Sequence, residues 1–424
     1  MPIDLMREIT VRWNEPDPRH VPLLREGGVT AVVAAPDEGF EAACSGAGLR
    51  VIHEDQIRYL SLREVGAAKA DETVVVKDGL WPGVGNPDPT VASATRSLWI
   101  DQNGYLVGYL RALHPKLPPV LGYLPDAEAG VAPDRAFRFD SLELALTEAW
   151  VCGGNYLMAL EPRFREALFK GTADALTAWR RLGRTAKWLQ ANAGLYRQSA
   201  LSTVTVLVDH NDMSKEIASL CYRQNVSPAL GAAANPPAPD VARRLVISAA
   251  GIDAPQGGAR RRILAHAEAG ATVVADQPGD RAWWRREGLK PLRSDPDRQF
   301  FSLGRGQLVA YKEPVTDPGE FALDLIDIVG QRRRAARLWN SRAGLALATA
   351  APRSGAVRGK AALHVVNYSQ PSSQPVLAQI QGVFNQATLL APEAKPSPLK
   401  VARRGTSSEV AIPQLVRVAT VVFS

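Results

Sequence analysis

The side chains best suited to chemistry in this 424-residue sequence are carboxylates that follow short apolar runs. Residues 120–124 form such a run, Pro125 stops it, and Asp126 and Glu128 come just past its end. In the same way residues 73–77 lead to Asp78, residues 50–53 to Glu54, and residues 156–160 to Glu161. A carboxyl group can donate a proton, accept one or attack as a nucleophile, and two flanking a labile bond can divide those roles. If the runs are parallel strands of an α/β barrel, the acids lie at the C-terminal ends, where that fold carries its chemistry. Trp13, Trp81 and Trp99 fall at strand ends or in the ordered loop 97–104, near Asp78, Asp101 and Asn103. Indole rings stack on the flat apolar faces of a ligand while nearby polar groups fix its hydroxyls.

Each acid also has a structural alternative. Asp126 and Glu128 could solvate a loop or cap a turn, and Glu161, before Pro162, could cap the next helix. The elements that must hold these residues alternate. Strands are expected at 9–13, 29–34, 50–53, 73–77, 120–124 and 156–160, with helices at 17–26, 38–47, 62–69 and 105–113. Asp140 and Ser141 are N-caps for a helix with Leu142, Leu146, Ala149 and Trp150 at helical spacing, and Gly153-Gly154 ends it. That alternation argues for a parallel sheet, yet six strands fall short of a complete eight-stranded barrel. Residues 164–196 read as helical, with Trp179, Leu182, Ala186 and Leu189 on one core-facing stripe.

A new unit starts at Ser202. Strands at 203–208, 244–248, 271–275 and 306–311, with helices at 214–223 and 260–269, describe a doubly wound α/β domain. After a helix at 321–337, the short alternating runs 363–367, 376–381, 387–390, 399–403, 409–412 and 416–422 suit a β-sandwich. The expected division is a TIM-type barrel at 1–198, a flavodoxin-like or amidotransferase-like domain at 199–328, and a linker helix with C-terminal β-sandwich at 329–424.

Composition narrows the function classes. With 46% apolar residues, burial is not limiting; the net charge of +7 reflects arginine clusters such as 260–262 and 332–334 on expected helices. These read as solvated faces, and with no basic patch interleaved with aromatics the sequence does not suggest a nucleic-acid partner. Cys44, Cys152 and Cys221 are far apart and the six histidines are scattered, so no metal site or cofactor is expected. No apolar run reaches the roughly 18 to 20 residues of a membrane helix, and the first residues lack a signal peptide's apolar core. The chain reads as soluble and cytoplasmic, although a removed leader would leave no trace.

The order of barrel, doubly wound domain and terminal sandwich resembles clan-A glycoside hydrolases of the family 42 β-galactosidase type. Three phrases carry the resemblance: 270–276 (GATVVAD), 304–318 (GRGQLVAYKEPVTDP), and 363–368 (LHVVNY) with Gly382 and Ile412-Pro413 further on. The resemblance implies a carbohydrate ligand, a middle domain similar to class I glutamine amidotransferases, and a homo-oligomer assembled through it. It also implies two catalytic acids, and Glu128 matches the later one, the nucleophile or base. Where the family shows Asn-Glu, this chain has Lys77-Asp78. Asp78, Glu54 or Glu161 therefore substitutes, or the site is degenerate. Amidotransferase chemistry itself would need a thiol after the strand at 244–248, and Ala249, Ala250 and Gly251 stand there.

The expectation is thus a glycoside hydrolase-like protein that acts on or binds a carbohydrate at the C-terminal face of its barrel. Its catalytic candidates are Glu128, Asp78 and Glu161. Trp13, Glu54, Trp81, Trp99, Asp101, Asn103 and Asp126 are the candidates for substrate binding. The alternative is a catalytically degenerate scaffold that binds carbohydrate or protein.

Overall fold

The computed structural model of the protein describes residues 3–85, 99–123, 138–240, 244–276, 282–341, 343–352 and 358–424. Its first sheet is wholly parallel and built from β1 (Thr10–Arg12), β2 (Ala31–Ala34), β3 (Arg50–His53), β4 (Ile57–Leu60), β5 (Thr73–Val76), β8 (Val120–Gly122) and β9 (Asn155–Ala159). A small antiparallel hairpin, β6 (Gly83–Gly85) with β7 (Trp99–Asp101), follows β5. The strand order is β3-β2-β1-β9-β8-β5-β4, so β3 and β4 are the two edges although only Glu54–Gln56 joins them. Seven strands laid flat would set those edges roughly 29 Å apart, whereas that connection can span only roughly 14 Å. The sheet must curl, and it forms an incomplete barrel. Val33, Ile52, Ile57, Val75, Val120 and Leu157, one from each of six strands, meet in a buried cluster that fills its inner face.

The outer face is covered by α1 (Val21–Glu26), α2 (Glu38–Gly46), α3 (Gly104–Leu113), α4 (Ser141–Val151), α5 (Pro162–Phe169), α6 (Ala173–Ala191) and the short α7 (Ala193–Tyr196). The α6 stripe of Trp179, Leu182, Ala186 and Leu189 is buried as its spacing predicts. β4 is a strand where none is expected, and the helix expected at 62–69 is a single turn at Val65–Ala67. Ile57 and Leu60 are buried on a strand paired in parallel with β5, and Gly66 sits in the middle of the expected helix.

The second sheet holds β10 (Val204–Val208), β11 (Ala229–Ala232), β12 (Val246–Ala249), β13 (Thr272–Ala275), β14 (Lys290–Ser294), β15 (Arg298–Leu303) and β16 (Gly306–Tyr311). Its order is β11-β10-β12-β13-β16-β15-β14, the first five parallel and the last two added antiparallel. With α8 (Asp212–Arg223), α9 (Gly257–Ala269) and α10 (Pro318–Val329) it is doubly wound. α10 stops at Gly330, whose φ of 79° ends the helix well short of the expected 337.

The remainder is a β-sandwich. One sheet is β17 (Ala336–Leu338), β20 (Val376–Gln381), β24 (Ser407–Ile412) and β23 (Ala402–Arg404). The other is β18 (Gly344–Ala350), β19 (Ala361–Asn367), β25 (Val418–Phe423), β21 (Ala387–Leu390) and β22 (Ser397–Leu399). Leu363, Val365, Ile380 and Val421 lie in the core between them. No helix among the described residues is long and apolar enough to cross a membrane.

Candidate functional site

The C-terminal ends of the barrel strands bring three polar side chains together. Arg12 ends β1, Glu54 follows β3, and Tyr59 lies near the end of β4. Arg12 Nε is 3.1 Å from Glu54 Oε1, and its guanidinium lies 5.9 Å from the centre of the Tyr59 ring. Glu54 is 39% exposed and Arg12 26%, so the pair is open to a ligand. Burial, and then the Glu54 charge, raise the pKa of the Tyr59 hydroxyl, which stays protonated and able to donate. Neither Arg12 nor Tyr59 stood out in the sequence. The signal was alternation: in β1 Val11 belongs to the outer core, so Arg12 must face inward beside Val33.

The same alternation turns Trp13 outward. It is buried among His20, Phe169 and Trp179, with ring centres 5.7, 5.4 and 6.5 Å away, beneath the helices. Asp78 is exposed after β5, and its Oδ2 accepts from the Leu62 backbone N–H at 2.7 Å. Glu161 caps α5, accepting from Phe164 N–H at 3.0 Å. Trp81 is buried against Tyr123, ring centres 4.1 Å apart, and borders a cavity of ≈ 10 Å³ with Ala159, Glu161 and Phe164. That is room for about one water molecule. Asp126 and Glu128 lie outside the described residues, as does the side chain of Trp99.

Asp101 and Asn103 belong to a different place. Next to Asp101, Gln102 donates to Ser219 O in α8 at 2.8 Å, and the Asp101 charge acts on Arg223 of the same helix. Asn103 is fully buried and pins the loop after β5, accepting from Leu80 N–H at 2.6 Å and donating to Leu80 O at 3.0 Å. Behind it lies an acid hidden in the α4 pattern. Glu148 is fully buried and accepts from the Asn103 and Gly104 N–H groups, at 2.8 and 2.9 Å, and from the Tyr368 hydroxyl at 2.6 Å. Burial pushes its pKa up to about 7 against the pull of those donors. Glu148 thus serves the start of α3 and fastens the sandwich to the barrel. No group of three or more potential metal ligands occurs among the described residues.

Comparison with solved structures identifies the architecture. An α-L-fucosidase isoenzyme 2 from Paenibacillus thiaminolyticus aligns over 91% of this chain and 70% of its own, at 11% identity and TM-score 0.52. A β-galactosidase from Bacillus circulans sp. alkalophilus aligns over 84% and 60%, at 12% identity and TM-score 0.52. Gan42B, a GH42 β-galactosidase from G. stearothermophilus, aligns over 91% and 66%, at 10% identity and TM-score 0.50. The chain has a family 42-like glycoside hydrolase fold. It spans less than two thirds of the length of the latter two proteins. No protein-family profile and no curated protein matches the sequence.

Proposed function

We propose that this glycoside hydrolase-like protein binds a carbohydrate across the C-terminal ends of its barrel strands. The observation that carries the reading is the Arg12–Glu54 pair beside Tyr59 on that rim. Guanidinium donors, carboxylate acceptors and a phenol edge suit the vicinal hydroxyls and apolar ring faces of a sugar. The fold shared with glycoside hydrolases supports the same ligand class. Titrating the protein with a panel of mono- and oligosaccharides by calorimetry tests it. Glu54→Gln should weaken the best ligand about tenfold, the size of one charge-assisted hydrogen bond. A panel without a binder, or a ligand indifferent to this substitution, overturns the proposal.

Hydrolysis is the second reading, with Glu128 as nucleophile or base and Asp78 as its partner. Asp78 favours it by standing exposed after β5. Against it, Asp78 and Glu161 already hold backbone N–H groups, which supports a binding scaffold without turnover. Aryl glycoside cleavage by the wild type that disappears in a folded Glu128→Gln variant identifies the enzyme; binding without cleavage identifies the scaffold. We also propose self-association through the middle domain, to be read by light scattering.

A further inference from the structure

The middle sheet ends in the β14–β15 hairpin, and beside it lies a cavity of ≈ 580 Å³ far from the barrel rim in sequence. Its walls are apolar at Trp284, Phe300 and Phe301, while Arg285, Arg286 and Arg293 also line it and, among the described residues, no acid does. Two of the cations are held on aromatic faces. The Arg293 guanidinium lies 3.9 Å from the Phe300 ring centre and that of Arg285 5.8 Å from the Trp284 ring. Such stacking limits the freedom of two long side chains before any ligand arrives. Arg286 is neutralised by Glu268 at 2.6 Å, and Arg293 reaches Asp295 at only 3.5 Å. Arg285 forms no ion pair among the described residues.

Every residue of β14 is exposed, Leu292 by 59%, yet the strand is a poor template for another strand. Pro291 lacks an N–H, the register breaks between Pro291 and Arg293, and Lys290 adds charge. These are the features by which sheet edges resist pairing. An occupant must engage the side chains, and the volume falls in the range of small-molecule sites. We propose that this groove binds a small organic anion with a flat apolar body, an aryl phosphate or aryl carboxylate. Its ring rests against Leu292 and Phe301, the more open apolar part of the lining, and its charge sits between Arg285 and Arg293. This proposal does not depend on the barrel reading.

The test is calorimetric titration of the full chain with phenyl phosphate, benzoate, inorganic phosphate and phenol. We expect saturable binding of phenyl phosphate or benzoate, whichever head group the groove prefers. It should weaken at least tenfold in Arg285→Gln/Arg293→Gln and fall with added salt, while phosphate and phenol do not saturate. Both arginines are surface residues, so a matching melting curve checks that this variant is folded. The proposal fails if neither aryl anion saturates, if the folded double variant binds as the wild type does, or if inorganic phosphate alone binds equally well. It also fails if Leu292→Asp dissociates an oligomer in light scattering, because the groove is then a subunit interface.

Discussion

Glu148 shows how an acid can be well partnered and still hard to ionise. Two N–H groups and a tyrosine hydroxyl favour its charge, yet complete burial wins and sets its pKa near 7 against an ordinary 4.5. Because the folded protein holds this proton more tightly than the unfolded chain, the group contributes stability that is fully present below about pH 4.5. That contribution is lost as pH rises through about 7. The span corresponds to about 3 kcal/mol. Glu148→Gln carries no titrating proton, so the wild type should lose stability relative to it over that interval. Urea midpoints of both proteins at several pH values check this, and a constant difference would contradict it. Nothing in the sequence singled out Glu148, because its partner Tyr368 lies 220 residues away. Glu161 was legible in part: an acid before Pro162 reads both as a catalytic candidate and as a helix cap, and its carboxylate forms the cap.

At the scale of elements, local pattern carried most of the strands, because each presents its own apolar run. Boundaries set by tertiary pairing were not legible. β4 depends on β5 as its neighbour, and α10 stops at one glycine inside a pattern that otherwise continues apolar. The seam between α1 and α6 makes a testable case. A Cβ on Gly183 would lie 2.1 Å from Glu26 O and 2.8 Å from Gly27 C, both backbone atoms that cannot swing aside. Trp179 locks the same seam, donating to Leu23 O at 2.7 Å. Gly183→Ala gains helix propensity but must push the helices apart. A net loss of about 1 to 3 kcal/mol is expected, the usual cost of overpacking. Unchanged thermal stability would show that the helices can separate freely.

Across the whole molecule, the unexpected feature is how the sandwich is tied to the barrel. Arg417, just before β25, is 3% exposed and reaches Asp140 at 2.6 Å, with Glu143 3.7 Å away. It also donates to Asn367 O at 2.7 Å, and Glu143 takes Arg181 and Thr185, each at 2.7 Å. Burial lowers the Arg417 pKa while Glu143 and Asp140 work against the shift. The sequence showed Asp140 only as a helix cap, since its buried partner Arg417 lies 277 residues away in the loop before β25, while Arg138 pairs with it from two residues away. Removing that cation leaves Asp140 and Glu143 only their more exposed partners, Arg138 at 2.5 Å and Arg181 at 2.7 Å, and breaking a buried pair is far costlier than never having placed it there. Arg417→Met should therefore destabilise by about 3 to 5 kcal/mol. The Arg417→Met/Asp140→Asn double variant, which removes one charge of each sign and leaves Glu143 with Arg181, should recover part of that loss. Denaturant unfolding of the two variants decides it. If the double variant is no more stable than the single one, hydrogen bonding to Asn367 rather than charge balance holds the sandwich in place.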